Sequence, residues 1–186
     1  MIVNDLFEFV FVHVPKTAGT TIRTALLKLP GSLPINGSKH TTVAELVERM
    51  PAAEGYYKFC FVRDPWERFG SLHRFLTERE KDRTYPVPAD VNDFASVLER
   101  REPWLLALRS MRPQHDFAEG CSFVGRFERL EEDALAIAQR FGKKRIKLKR
   151  LNSHGEPVCY RDAMTARTQD IIADYYRQDV ERFGYR

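Results

Sequence analysis

Cysteine is scarce in this chain, with three among 186 residues: Cys60, Cys121 and Cys159. An odd number cannot all pair within one chain, and the spacings fit no metal-ligand motif. One would be left over in any disulfide scheme, so reduced thiols in a cytoplasm are the simpler reading. Long apolar runs are also missing. The longest, from Leu6 to Val14, contains Glu8 and His13 and has no basic region before it, so it does not read as an export signal. No stretch approaches the roughly 20 apolar residues of a membrane span, and no stable membrane insertion is expected. Repeats, low-complexity tracts and linkers are absent too. Neither sign of charge dominates: 30 Lys and Arg face 26 Asp and Glu, and the net +4 favours an anionic ligand without calling for nucleic acid. What is present is 43% hydrophobic and 30% charged residues, enough apolar side chains for a core in a single domain spanning 1–186.

Apolar patterning places the elements. Leu6–Val14 and Tyr56–Val62 are β-branched and aromatic on both alternating faces, the signature of strands buried on both sides of a parallel sheet. A helix should follow the first strand through Ile22, Leu26 and Leu29, and stop at Pro30-Gly31. Residues 30–39 read as a loop. Thr41 or Thr42 caps a short helix to Met50, and Asp64-Pro65 makes a cap and first-turn pair for a helix to about Glu80. Residues 81–90 read as an exposed loop. Asn92 or Asp93 starts another helix, and Trp104–Met111 forms a further apolar segment. Ser122–Arg126 is a third strand. Leu130–Phe141 is a helix with acids first and bases last, which suits its dipole. The basic run Lys143–Arg150 alternates like a half-exposed strand, 152–161 reads as a loop, and Thr165–Phe183 looks like one closing helix. Alternating strands and helices predict an α/β fold of three layers, P-loop-like, with a mostly parallel central sheet flanked by helices. Cys60 and both tryptophans, Trp66 and Trp104, are expected in the core.

Two loops carry the chemistry. Pro15-Lys16-Thr17-Ala18-Gly19-Thr20-Thr21 joins the first strand to its helix. Backbone N–H groups at a helix start attract an anion, Gly19 permits close approach, the three threonines offer hydroxyls and Lys16 adds a full charge. This is not a Walker A loop, because Lys16 precedes the glycine and the first glycine of that pattern is missing. No aspartate is convincingly placed for Mg²⁺. The second loop begins at Arg63, directly after the second strand, and Ser71 falls about two turns into the following helix. Arg63 offers a planar fork suited to phosphate, and the carboxyl ends of such strands are where ligands bind. The bland alternative pairs Arg63 with a nearby acid and leaves Ser71 as a helix-surface residue.

Together the two loops resemble those of the sulfotransferases that use 3′-phosphoadenosine-5′-phosphosulfate (PAPS), in the branch of carbohydrate and uronyl 2-O-sulfotransferases. Phe11–Thr21 is similar to the 5′-phosphosulfate loop and Phe59–Ser71 to the 3′-phosphate segment. Further similarity lies at Arg112–Asp116, Phe123–Glu128, Leu151–Ser153 and Tyr175–Tyr185, so it spans nearly the whole chain. The resemblance implies transfer of a sulfuryl group to an acceptor hydroxyl, on a glycan or small molecule, with adenosine-3′,5′-bisphosphate as product and no metal required. It implies that Lys16 stabilises the leaving phosphate, that Thr17, Ala18, Gly19, Thr20 and Thr21 hold the 5′-phosphate by their backbone, and that Arg63 and Ser71 hold the 3′-phosphate. Arg150 or Arg161 is a further candidate phosphate contact.

The acceptor hydroxyl needs a base. His40 lies between the two loops at a separation similar to that of the catalytic histidine in the uronyl branch, and imidazole suits the task. His115 competes with it, and Glu128 and Glu8 are carboxylate alternatives. His13, inside the first strand, reads as a packed core residue. A P-loop kinase and a catalytically inactive nucleotide-binding domain are the other readings. The acceptor itself is not legible.

Overall fold

Phenylalanine and valine alternate through the strands that organise the sheet, so each strand buries aromatic rings on one face and smaller side chains on the other. A computed structural model describes residues 1–35, 40–79, 85–144, 148 and 159–186. Within these, the chain divides into two compact units: Met1–Val62 with Gln114–Gly155, and Arg63–Pro113 with Glu156–Arg186.

The first unit holds a five-stranded sheet in the order β3-β1-β2-β4-β5, with β1 at Ile2–Asn4, β2 at Phe9–Val12, β3 at Ser32–Pro34, β4 at Tyr57–Val62 and β5 at Phe123–Arg126. β2 pairs in parallel with β4, and β4 with β5, while β1 runs antiparallel to both β2 and β3. Four strands thus point one way and only β1 opposes them, which is the mostly parallel α/β sheet expected from the sequence. Phe9, Phe11, Phe59 and Phe61 form one core with Ile22 and Leu26 of helix α1 (Gly19–Leu26) and with Ala134 and Ile137 of a later helix, Leu130–Arg140. Val10, Val12 and Cys60, on the other face, are equally buried.

Two strands were not anticipated. The expected strand Leu6–Val14 shrinks to β2, because residues 5–8 turn, with Glu8 at φ 49°, and send β1 back along its edge. Part of the expected loop at 30–39 is β3. Helix α2 (Val43–Arg49) starts as expected at Thr42, which forms a reciprocal capping box with Glu45.

The second unit is helical. Asp64 caps α3 (Pro65–Arg79), its carboxylate accepting from the N–H groups of Trp66 and Glu67. Helices α4 (Val91–Glu99) and α5 (Pro103–Leu106) follow; the cap of α4 is Asp90 rather than Asn92 or Asp93. The short α6 (Gln114–Ala118) and α7 (Leu130–Arg140) belong to the sheet unit. The expected closing helix is broken at Tyr176 into α8 (Ala166–Tyr175) and α9 (Arg177–Phe183). The break places the Tyr176 hydroxyl, deep in the unit, where it donates to the Met111 carbonyl at 2.9 Å. Burial raises the pKa of this phenol, so it stays protonated. Trp66 is buried as expected, whereas Trp104 is half-buried and stacks on Tyr85. The basic run expected as a strand, the segment 151–158 and Arg150 lie wholly or mostly outside the described residues.

The main polar tie in this unit is Arg68. Its side chain is 1% exposed and donates to the carbonyls of Ser110 and Arg112 at 2.8 and 2.7 Å, with the guanidinium over the Tyr176 ring. Arg68→Met keeps the volume but strands both carbonyls. It should lower stability by about 2–4 kcal/mol, measured by urea unfolding.

Candidate active site

The loop from Val12 to Gly19 turns sharply at two residues that carry side chains. Lys16 lies at φ 67° and Ala18 at φ 60°, both in the left-handed region. Each such residue costs about 1–2 kcal/mol, so two within three positions are strain that the surroundings must offset. One offsetting contact is the Thr17 hydroxyl, which donates to the Val14 carbonyl at 3.0 Å. That bond occupies the only donor of the hydroxyl, so among the three expected threonine hydroxyls this one serves the loop itself. Thr21 is buried and Thr20 exposed; Lys16 is half-buried. Ala18 caps α1 from its left-handed position, and the N–H groups of Gly19, Thr20 and Thr21 open the helix, where α-helical geometry supplies no intrahelical acceptor.

Gly19 is required for a reason the sequence did not reveal. A Cβ there would come within 1.8 Å of Cδ2 of His13. The His13 ring therefore lies directly against the start of α1. It also meets His40, the ring centroids standing 4.6 Å apart at 61°. His40 precedes the cap of α2 and is half-buried, and its Nδ1 is 2.8 Å from the His13 carbonyl oxygen. A carbonyl only accepts, so Nδ1 carries the hydrogen, and in the neutral ring Nε2 keeps its lone pair. The structure thus brings Lys16, Gly19, His13 and His40 to one end of β2. Glu8 sits at the opposite end of that strand and does not join them. His115 is on α6, with Nε2 3.1 Å from the Asp116 carboxylate. Glu128 lies exposed just past β5.

The helical unit holds a second group of candidate residues. Arg63 follows β4 immediately and pairs with Glu67 at 3.1 Å, as the bland alternative expected. The other oxygen of Glu67 accepts from the backbone N–H of Arg161 at 3.1 Å, and the Arg161 guanidinium lies 4.0 Å over the Trp66 ring. Tyr160 is drawn down with it, 5.7 Å from the Arg63 guanidinium. Ser71 is half-buried in α3. In the same unit a cleft of about 330 Å³ is lined by Gly70, His73, Arg74, Thr77, Asp90 and Tyr160, among others.

The whole chain, residues 1–186, matches the model of the sulfotransferase family. The chain belongs to the sulfotransferase family. Among curated proteins it is similar to carbohydrate sulfotransferase 14 of mouse (29% identical, over 75% of this chain and 46% of the relative) and of human (28%, over the same shares). The zebrafish protein of the same name is 25% identical over 76% of this chain and 48% of its own length. The chain thus spans about half the length of these relatives. No solved structure matches it. The chain carries the Lys16 and Arg63 loops at the strand ends where the sequence placed them, while the Glu67–Arg161 bond and the ring contacts of His13 and Tyr160 were not expected.

Gly70 is the one of these features that left a trace in the sequence, because glycine inside a helix costs about 1 kcal/mol against alanine. A Cβ at Gly70 would lie 2.3 Å from the Cβ of Tyr160. Gly70→Ala should therefore destabilise the protein by about 1–3 kcal/mol despite its better helix propensity, measured by thermal unfolding.

Proposed function

We propose that this sulfotransferase moves a sulfuryl group from PAPS to a hydroxyl of a carbohydrate acceptor. The carrying observation is the strained cationic loop at the head of α1, with Lys16 and Ala18 both left-handed, in a chain of the sulfotransferase family. Backbone strain of this kind collects where a ligand must be met in a fixed geometry. The names of the relatives support a carbohydrate acceptor.

In this reading the N–H groups from Thr17 to Thr21 hold the 5′-phosphate and Lys16 contacts the oxygen that bridges phosphorus and sulfur. The acceptor oxygen forms a bond to sulfur while the bridging S–O bond breaks. The electron pair of that bond stays on the 5′-phosphate, where Lys16 stabilises it, and adenosine-3′,5′-bisphosphate leaves. The acceptor proton passes to His40, whose Nδ1–H is committed to the His13 carbonyl and whose Nε2 is the basic nitrogen. Arg63 and Ser71 hold the 3′-phosphate, which distinguishes PAPS from ATP. The Arg63–Glu67 pair fits this role, since it holds the guanidinium before the nucleotide arrives. No observation favours the kinase reading, and measured turnover separates an enzyme from an inactive binding domain.

Calorimetry tests the nucleotide assignment. Adenosine-3′,5′-bisphosphate should bind without Mg²⁺ at least tenfold more tightly than ATP; equal binding of the two overturns it. Arg63→Ala should weaken PAPS by about 10–100-fold while affecting adenosine-5′-phosphosulfate much less. Lys16→Ala should slow transfer to a chemically desulfated polysaccharide by about 10²–10³-fold with only a small loss of nucleotide affinity. His40→Ala should remove the acidic limb of the kcat profile, and a persistent limb would move the base to His115 or Glu128.

A further inference from the structure

We infer that His13 is a positioning residue, whose imidazole is the spacer that fixes His40 relative to the anion loop. The inference rests on the reading of His40 as the base.

His13 is the first residue beyond β2 and is 5% exposed. Its ring makes contacts of different kinds. It stacks on Phe11, with centroids 5.8 Å apart and planes at 23°, and Phe11 is wholly buried in the sheet core. It lies so close to Gly19 that a methyl group there would overlap Cδ2 and Nε2, at 1.8 and 1.9 Å. It meets the His40 ring in a T-shaped contact at 4.6 Å. The backbone of the same residue supplies the carbonyl that takes the Nδ1–H of His40.

These contacts divide the work. Any residue at this position supplies a carbonyl, but only a flat ring of this size reaches Gly19 and His40 together while remaining anchored on Phe11. Truncation to alanine would leave a gap between the head of α1 and His40. The His40 imidazole would then lose the ring contact that flanks its hydrogen bond to the His13 carbonyl. A base displaced by about 1 Å from its proton loses up to 100-fold in rate. The loop keeps its own ties, namely the Thr17–Val14 bond and the start of α1, so nucleotide binding should change little. A purely structural histidine would instead alter stability alone.

Two measurements on His13→Ala decide the matter. The first is the ¹⁵N spectrum of histidine-labelled protein. In the unaltered protein His40 should show a protonated Nδ1 and a pyridine-like Nε2, and in His13→Ala this single tautomer should give way to a mixture. The second is sulfuryl transfer from PAPS to a chemically desulfated polysaccharide. Here kcat should fall about 10–100-fold and its acidic limb should shift, while the affinity for adenosine-3′,5′-bisphosphate stays within about threefold. An unchanged tautomer with unchanged kcat overturns the inference. So does an equal fall in kcat and affinity with the tautomer intact, which would make His13 packing for the loop alone. If the unaltered protein transfers nothing yet the tautomer changes on mutation, the functional reading fails while the contact stands. Should His13→Ala not fold, His13→Asn carries the same expected and overturning results.

Discussion

A missing side chain holds the sheet unit's candidate chemistry together. The chain can pass from β2 into α1 only because nothing projects from Gly19, and the vacated space is filled by the ring of His13. That contact bears on a buried aromatic of the sheet on one side and on His40 on the other. The strained backbone at Lys16 and Ala18 is braced separately, by the Thr17–Val14 bond, the sheet and the first turn of α1. The packing of α1 against the sheet and the meeting of the two imidazole rings thus share one close approach.

The helical unit solves a different problem by charge. Arg68 is buried and spends its fork on two backbone carbonyls that end the segment after α5. One residue earlier, Glu67 divides its two oxygens between the side chain of Arg63 and the backbone of Arg161. Successive residues of α3 therefore tie the helix to segments distant in sequence, Arg68 through its guanidinium and Glu67 through the Arg161 N–H.

Much of this was legible in the sequence. β2 and β4 announce themselves by apolar residues on both faces, and Thr42 and Asp64 mark their helices by cap chemistry that acts within four residues. β1 and β3 escaped notice because three residues are too few to display alternation, and the turn between β1 and β2 carries no glycine or proline. The break at Tyr176 was hidden because apolar spacing continues across it; what stops α8 is a hydroxyl reaching a carbonyl 65 positions away in sequence. Likewise the positions of Lys16, Gly19 and Arg63 just past the ends of β2 and β4 could be read from local pattern. The seat of Tyr160 on Gly70 and the approach of His40 to His13 join residues far apart in the chain, and no window of sequence contains both partners.

The outermost strand has a bearing on solubility. β3 has only three residues, Ser32–Pro34, and closes with a proline whose nitrogen has no hydrogen to offer. Leu33 projects there, 58% exposed, at the margin where a foreign strand could attach. A margin this brief, with one donor deleted, gives an incoming chain too few bonds to extend the ladder, so the protein can carry an apolar residue at its border without seeding fibrous self-association.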